Sequence, residues 1–194
     1  MSLAEIVDNS RTDKNTVHSY LDLYQNLLVA KKDTAQNVLE IGIGDGGQGI
    51  TNGGSIKLWY DYFVNAKVYA LDIQDINTVW NGLKHNDRII LHTSVDAYSK
   101  QFVQSEFLDK DIKFDMMLDD GPHTLESMKS FITLYSPLLA DNGILIIEDI
   151  QDPIWINELY KVVPDNLKQF VSAYDLRKNK NRYDDIVLAI RNKK

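Results

Sequence analysis

The feature that most narrows what this chain can become is a rhythm. Short apolar runs each stop at a glycine or an acid, and longer amphipathic stretches separate them. Asn37-Val-Leu-Glu-Ile-Gly-Ile43 and Lys67-Val-Tyr-Ala-Leu-Asp72 are two such runs, and Arg88–His92, Phe114–Leu118 and Ile144–Ile147 repeat the theme. Runs of this length without polar alternation read as strands buried on both faces. Helix-like spacing fills the intervals near 55–65, 98–108 and 124–139. Strand alternating with helix requires crossover connections, hence a parallel sheet covered on both sides. Further along, Gln169–Leu176 and Asp185–Ile190 are joined only by the turn-rich Arg177–Tyr183, which predicts an antiparallel hairpin. Val17, Tyr20, Leu21, Tyr24, Leu27 and Leu28 recur on one helical face, predicting an N-terminal helix over about 16–30 with Thr16 as its cap. The expected architecture is a single α/β domain over residues 1–194: a three-layer sandwich around a mostly parallel seven-stranded sheet that closes with the C-terminal hairpin.

Composition removes several classes of function. The chain has 194 residues and a formal charge of −7, from 21 Lys+Arg against 28 Asp+Glu, with no clustered basic stretch, so no nucleic-acid partner is expected. At 44% hydrophobic it can bury a core without staples. It has no cysteine, which excludes disulfides, thiolate zinc sites, iron–sulfur clusters and Cys nucleophiles. The polar start MSLAEIVDNSRTDK is no signal peptide, and no apolar run reaches the roughly 18 residues of a membrane span. The expectation is a cytoplasmic protein without a membrane partner.

Open α/β sheets bind ligands beyond the carboxyl ends of their strands. After the first strand comes Glu40-Ile-Gly42-Ile-Gly44-Asp-Gly-Gly47, which satisfies G-x-G-x-x-G. A dinucleotide loop should open directly into a helix, but this one continues through Gln48 to Gly54, and Ser55 is the expected N-cap of a helix with Ile56, Trp59, Tyr60 and Phe63 as its buried stripe. The acid ending the second strand, Asp72, lies 30 residues beyond Gly42, where a dinucleotide fingerprint expects roughly 20. Both points disfavour a nicotinamide cofactor. Glu40-x-Gly-x-Gly44 with Asp72 instead resembles the S-adenosylmethionine (SAM) loop of class I methyltransferases. Glycines let backbone approach the cofactor, and the acid can accept both ribose hydroxyls. Asp96, after the third strand, stands where such enzymes contact adenine, although Ser94 and Asp96 could equally cap the next helix.

Phe114-Asp-Met-Met-Leu-Asp-Asp120-Gly-Pro-His123 ends the fourth strand and Ile146-Ile-Glu148-Asp149 the fifth. Adjacent parallel strands would bring Asp119, Asp120, Glu148 and Asp149 to one rim. Carboxylates so crowded suit a hard divalent cation, Mg2+ first, with Ca2+ or Mn2+ also fitting oxygen ligands. His123 is placed as a general base. The alternative reading makes Asp119 and Asp120 a turn, leaves Glu148 and Asp149 solvated, and has His123 capping a helix near Thr124. His85 and His92 read as surface residues. Asp152, Trp155 and Tyr160 read either as part of a lid or as packing.

Taken together, Thr12-Asp-Lys14-x-x-x-His18-x-Tyr20, Val-Leu-Glu-Ile-Gly-Ile-Gly44, Gly53-Gly-Ser-x-x-x-Trp59, Leu-Asp72-Ile, Leu118-Asp-Asp-Gly-x-His123, Gly143–Asp149 and Tyr183-Asp-Asp-Ile resemble the metal-dependent class I SAM methyltransferases that methylate sugar hydroxyls in macrolide deoxysugar tailoring. The resemblance implies a Rossmann-like fold and SAM contacts at Lys14, His18, Tyr20, Glu40, Gly42, Gly44, Ser55, Asp72, Ile73, Asp96 and Asp119, with the N-terminal helix covering the cofactor. It further implies Mg2+ on Asp120, Glu148 and Asp149, with His123 as the base, in an in-line methyl transfer to a hydroxyl. The implied acceptor is a sugar, nucleotide sugar or glycoside; a catechol-type acceptor and a non-catalytic SAM- or metal-binding module are the alternatives. Pro122 stands where similar proteins often carry Ser or Thr, and the expectation is a chain without the additional N-terminal domain of some members, which leaves open both the acceptor and self-association into a homo-oligomer.

Overall fold

The computed structural model describes residues 1–44 and 52–193. Gly47, the third glycine of the loop motif, and the residues from Gln48 to Thr51 lie outside the described residues. The chain divides into two compact units, Met1–Val95 and Asp96–Lys194. Among the described residues, seven strands belong to one mixed sheet, parallel except where the C-terminal strands join.

In the first unit, β1 (Asn37–Ile41), β2 (Lys67–Leu71) and β3 (Ile89–His92) run parallel, with Val38 opposite Val68 and Val68 opposite Ile89. β1 is buried from Val38 to Ile41, as its unbroken apolar run requires. The helices are α1 (Leu3–Ile6), α2 (Leu21–Leu28) and α3 (Gly54–Tyr62). The expected 16–30 helix shrinks to α2 and one 3₁₀ turn, Val29–Lys31. Thr16 is not the cap of α2, which starts after Tyr20: the Asp13 carbonyl accepts the N–H groups of Thr16, Val17 and His18, so the chain turns before it enters the helix. In α3 the N-cap is Gly53, whose left-handed backbone (φ 78°) suits glycine, and not Ser55. The buried face of α3 is Ile56, Leu58, Trp59 and Tyr62, followed by Phe63. Tyr60, expected in that stripe, is half-buried beneath the Arg88 guanidinium at 4.0 Å. Arg88 stands just outside β3 and donates to the carbonyls of Tyr60, Phe63 and Ala66, satisfying groups that the helix end leaves open.

In the second unit the order is β4 (Phe114–Asp119), β5 (Leu139–Ile147), β7 (Ile186–Arg191), β6 (Val171–Asp175). β4 and β5 are parallel, and β7 is antiparallel to both its neighbours. β5 starts five residues before the apolar run: Phe114 pairs with Leu139 and Met116 with Ile144, so 140–143 bulge opposite Asp115, with Asn142 left-handed (φ 59°). The helices are α4 (Lys100–Val103), which widens into a π turn to Leu108, α5 (Leu125–Tyr135), α6 (Trp155–Val162) and α7 (Arg177–Lys180), a single turn inside the expected hairpin loop. α6 is where a lid or packing segment was expected; it buries Leu159 and leaves Tyr160 exposed. Phe107 lies edge-on to Phe114 at 5.3 Å, and Phe131 packs on Tyr135, filling the space between helices and strands. Among the described residues, no helix is long and apolar enough to cross a membrane.

Candidate active site

At the end of β1 the chain turns through Gly42, whose φ of 99° a side chain would strain. Gly44 is required by contact: a Cβ there would lie 2.2 Å from Cβ of Asn52. Asp72, just past β2 and buried, accepts from the Ile43 N–H at 2.8 Å with one oxygen and from the Gln74 N–H at 2.9 Å with the other. The Gln74 amide in turn donates to the Gly44 carbonyl, tying this acid's turn to the glycine loop. A carboxylate has about four acceptor positions, so each Asp72 oxygen keeps capacity for a hydroxyl. Ile73 beside it is 75% exposed, an apolar surface of the kind a flat ring can cover.

Glu40 is wholly buried on β1. Its carboxylate accepts from Ser55 Oγ (2.8 Å) and Trp59 Nε1, with the buried Lys14 ammonium at 3.5 Å. Ser55 therefore serves Glu40, which is why it does not cap α3. His18 is buried too, 3.6 Å from Asp13 and stacked on Tyr20, which stacks on Tyr24. Lys14, His18 and Tyr20 thus form an enclosed network around Glu40 and α2 in the first unit.

In the second unit, Asp119 ends β4 and is buried; it accepts the Tyr98 hydroxyl at 2.5 Å. Burial pushes its carboxyl up to about 6, against the opposing pull of the Tyr98 hydroxyl and the His123 charge. The Tyr98 hydroxyl is raised by its own burial and by Asp119. His123 Nε2 lies 3.7 Å from Asp120 and 3.6 Å from Asp149. Donor atoms of Asp120, His123 and Asp149 all fall within 4.8 Å of one another. Glu148, buried to 1%, is outside that trio, although its N–H donates to the Asp119 carbonyl. His123 (φ 52°) and Asp149 (φ 54°) both hold left-handed backbone, a conformation costing about 1 kcal/mol or more that persists where surroundings impose it.

Thr124 caps α5, its hydroxyl accepting from the Ser127 N–H, so the capping role considered for His123 is filled by its neighbour. Ser94 and Asp96 do not cap α4; Ser99 does, while Asp96 accepts the Tyr98 N–H at 2.9 Å. His85 is exposed, and His92 is partly covered, stacked on Tyr69. The Asp152 carboxylate accepts the Ile154 N–H at the start of α6. Asp185 and Tyr98 have no role assigned from sequence. Asp185 is fully buried with an oxygen within 4.8 Å of one of Asp149, and the Tyr183-Asp-Asp-Ile motif was its signal. Tyr98 lies in no motif, so nothing in the sequence pointed to it.

No family model matches the chain. It is 30% identical over 154 residues, 79% of its length, to an 8-demethyl-8-alpha-L-rhamnosyl tetracenomycin-C 2'-O-methyltransferase of Streptomyces olivaceus, of which it spans 39%. To an L-olivosyl-oleandolide 3-O-methyltransferase of Streptomyces antibioticus it is 28% identical over 72% of the chain, spanning 34% of that protein. The chain thus covers little more than a third of these relatives. Among solved structures, MycE methyltransferase from the mycinamycin pathway, in complex with Mg, SAH and mycinamycin VI, superposes with a TM-score of 0.78 at 19% identity over all of this chain and 54% of that one. The fold is that of a class I methyltransferase. An O-methyltransferase from Bacillus cereus in complex with SAH matches more distantly, with a TM-score of 0.60 at 17% identity over 91% of this chain and 83% of that one.

Proposed function

We propose that this chain transfers a methyl group from SAM to a hydroxyl of a sugar or glycoside with the help of a divalent metal. The observation that carries the reading is the trio of Asp120, His123 and Asp149, two carboxylates converging on an imidazole at 3.6–3.7 Å in loops where two non-glycine residues are left-handed. Like charges brought together at low exposure are costly unless a cation balances them, and an oxygen-rich donor set fits Mg2+. Asp120 and Asp149 would hold the ion, with Glu148 and Asp185 the adjoining acids. Gly42, Gly44 and Asp72 fit SAM: the glycines admit it closely and the spare acceptor capacity of Asp72 suits a ribose diol. Relatives named for methylation of rhamnosyl and olivosyl groups support the sugar acceptor.

Bound, the metal would supply Lewis-acid polarisation of a hydroxyl and SAM an electrophilic methyl. The rest falls to side chains of the protein. His123 Nε2 accepts the hydroxyl proton, and the two acids beside it stabilise the imidazolium so formed. Asp72 fixes the ribose, and the buried Glu40–Lys14 pair with Ser55 and Trp59 holds β1 and α3 in register beneath the glycine loop. On this reading residues 1–194 work as one cytoplasmic domain, with α2 and the turn before it over the cofactor.

Incubation with SAM and either methyl α-L-rhamnopyranoside or catechol, with and without Mg2+, tests the proposal by counting methylated product. Mg2+-dependent methylation of the glycoside is expected. Methylation of catechol alone would move the acceptor to another class, and failure to bind SAH by calorimetry would overturn the reading altogether.

A further inference from the structure

Tyr98 is absent from every sequence motif, yet it touches the acidic loops at both ends. Its N–H donates to Asp96 Oδ1 at 2.9 Å and its hydroxyl to Asp119 Oδ1 at 2.5 Å. Gly121 is small because of it: a Cβ there would lie 2.0 Å from the Tyr98 hydroxyl oxygen and 3.0 Å from Asp119 Oδ1. The Gly121 N–H is also hydrogen-bonded to the Asp119 carboxylate. From α5, the buried Tyr135 hydroxyl donates to the Ala97 carbonyl at 2.7 Å and anchors the backbone from which Tyr98 projects. Asp120 therefore sits between two residues, Asp119 and Gly121, both placed against one phenol.

A buried carboxylate such as Asp119 needs a donor or a cation. Supplied by Tyr98 and the Gly121 N–H, it is satisfied by the protein's own donors and does not compete for an ion. Successive side chains of extended backbone point opposite ways, so fixing Asp119 also directs Asp120, which is half-buried and within 3.7 Å of His123. We infer that Tyr98 is a positioning residue of the metal site: it engages Asp119 so that Asp120 is the carboxylate offered to the cation. The inference rests on the metal reading above and deepens it.

The test is calorimetric titration of Mg2+ alone into the intact chain and into the variants Tyr98→Phe and Tyr135→Phe. Each variant loses one buried hydroxyl from the same cluster, so both should lower the melting temperature. Only Tyr98→Phe is expected to weaken Mg2+ binding, by roughly 10–100-fold, the usual effect of removing a group that orients a metal ligand. Tyr135→Phe should stay within about twofold, since Ala97 offers no ligand. Unchanged Mg2+ affinity in Tyr98→Phe, or an equal loss in Tyr135→Phe, would overturn the positioning role and leave the metal reading intact. Absence of Mg2+ binding by the unaltered chain would overturn both.

Discussion

Glu40 and Asp72 in the first unit, and Asp120 and Asp149 in the second, are all acids at or near the carboxyl ends of strands, yet they are held in opposite ways. Glu40 has an ammonium, an indole N–H and a hydroxyl around it; Asp72 has a backbone N–H on each oxygen. Their charge is balanced or solvated by fixed dipoles within the fold. In the second unit, Asp120 and Asp149 each face His123 Nε2 at 3.6–3.7 Å, with donor atoms of the three within 4.8 Å of one another, while the neighbouring Asp119 accepts the Tyr98 hydroxyl and is held well above the carboxylate range by burial. A platform of satisfied acids can receive a neutral diol without rearrangement, whereas a rim of crowded acids invites a cation. Under the proposed function, that contrast would give cofactor recognition to the first unit and metal and proton chemistry to the second.

The sharpest way to break that division is chelation. Excess EDTA should abolish methyl transfer while leaving SAH affinity, measured by calorimetry, unchanged; a parallel loss of SAH binding would merge the two functions. Next in size, His123→Ala should lower turnover roughly 10²–10⁴-fold, the share of a positioned base, again with SAH affinity preserved. A variant that keeps its turnover would remove the base from the second unit.

A third test reads the buried acid beside that rim. Asp119 has a folded-state pKa of about 6 against 3.8 for an ordinary aspartate, so the folded state binds this proton more tightly than the unfolded state does. Its contribution to stability is therefore present at pH 4 and is lost as pH rises to 6, by up to about 3 kcal/mol at roughly 1.4 kcal/mol per pKa unit. In metal-free protein, Asp119→Asn should remove that loss, so its stability advantage in urea melts should grow between pH 4 and pH 6. Parallel curves for the two proteins would show that the acid is not strained. The smallest effect is expected in the first unit: Asp72→Ala should weaken SAH binding by about 1–3 kcal/mol and leave Mg2+ titrations unaltered.

The placement of Gly42, Gly44, Asp72 and the two acid pairs at strand ends was legible because apolar runs mark those ends directly. Asp120, His123 and Asp149 come together as the motifs implied, and the parallel and antiparallel parts of the sheet follow the run pattern. Helix starts were harder. Thr16 and Ser55 have capping side chains, but a cap depends on which backbone N–H groups face them, and here the Asp13 carbonyl and Glu40 intervene. Glu40 and Lys14, 26 positions apart in sequence, are drawn as cofactor residues by their motifs and become a buried ion pair only once β1 is enclosed.

The sequence by itself determined the α/β alternation, the antiparallel close of the sheet, and which residue types stand at the strand ends, because these follow from local apolar runs, glycine and charge. The tertiary structure decided which acids are satisfied and which are crowded, because that depends on donors brought from distant positions. Tyr98 reaches Asp119 across 21 positions, and Asp185 arrives beside Asp149 only through the turn between β6 and β7. Neither proximity has any periodicity for a sequence to record.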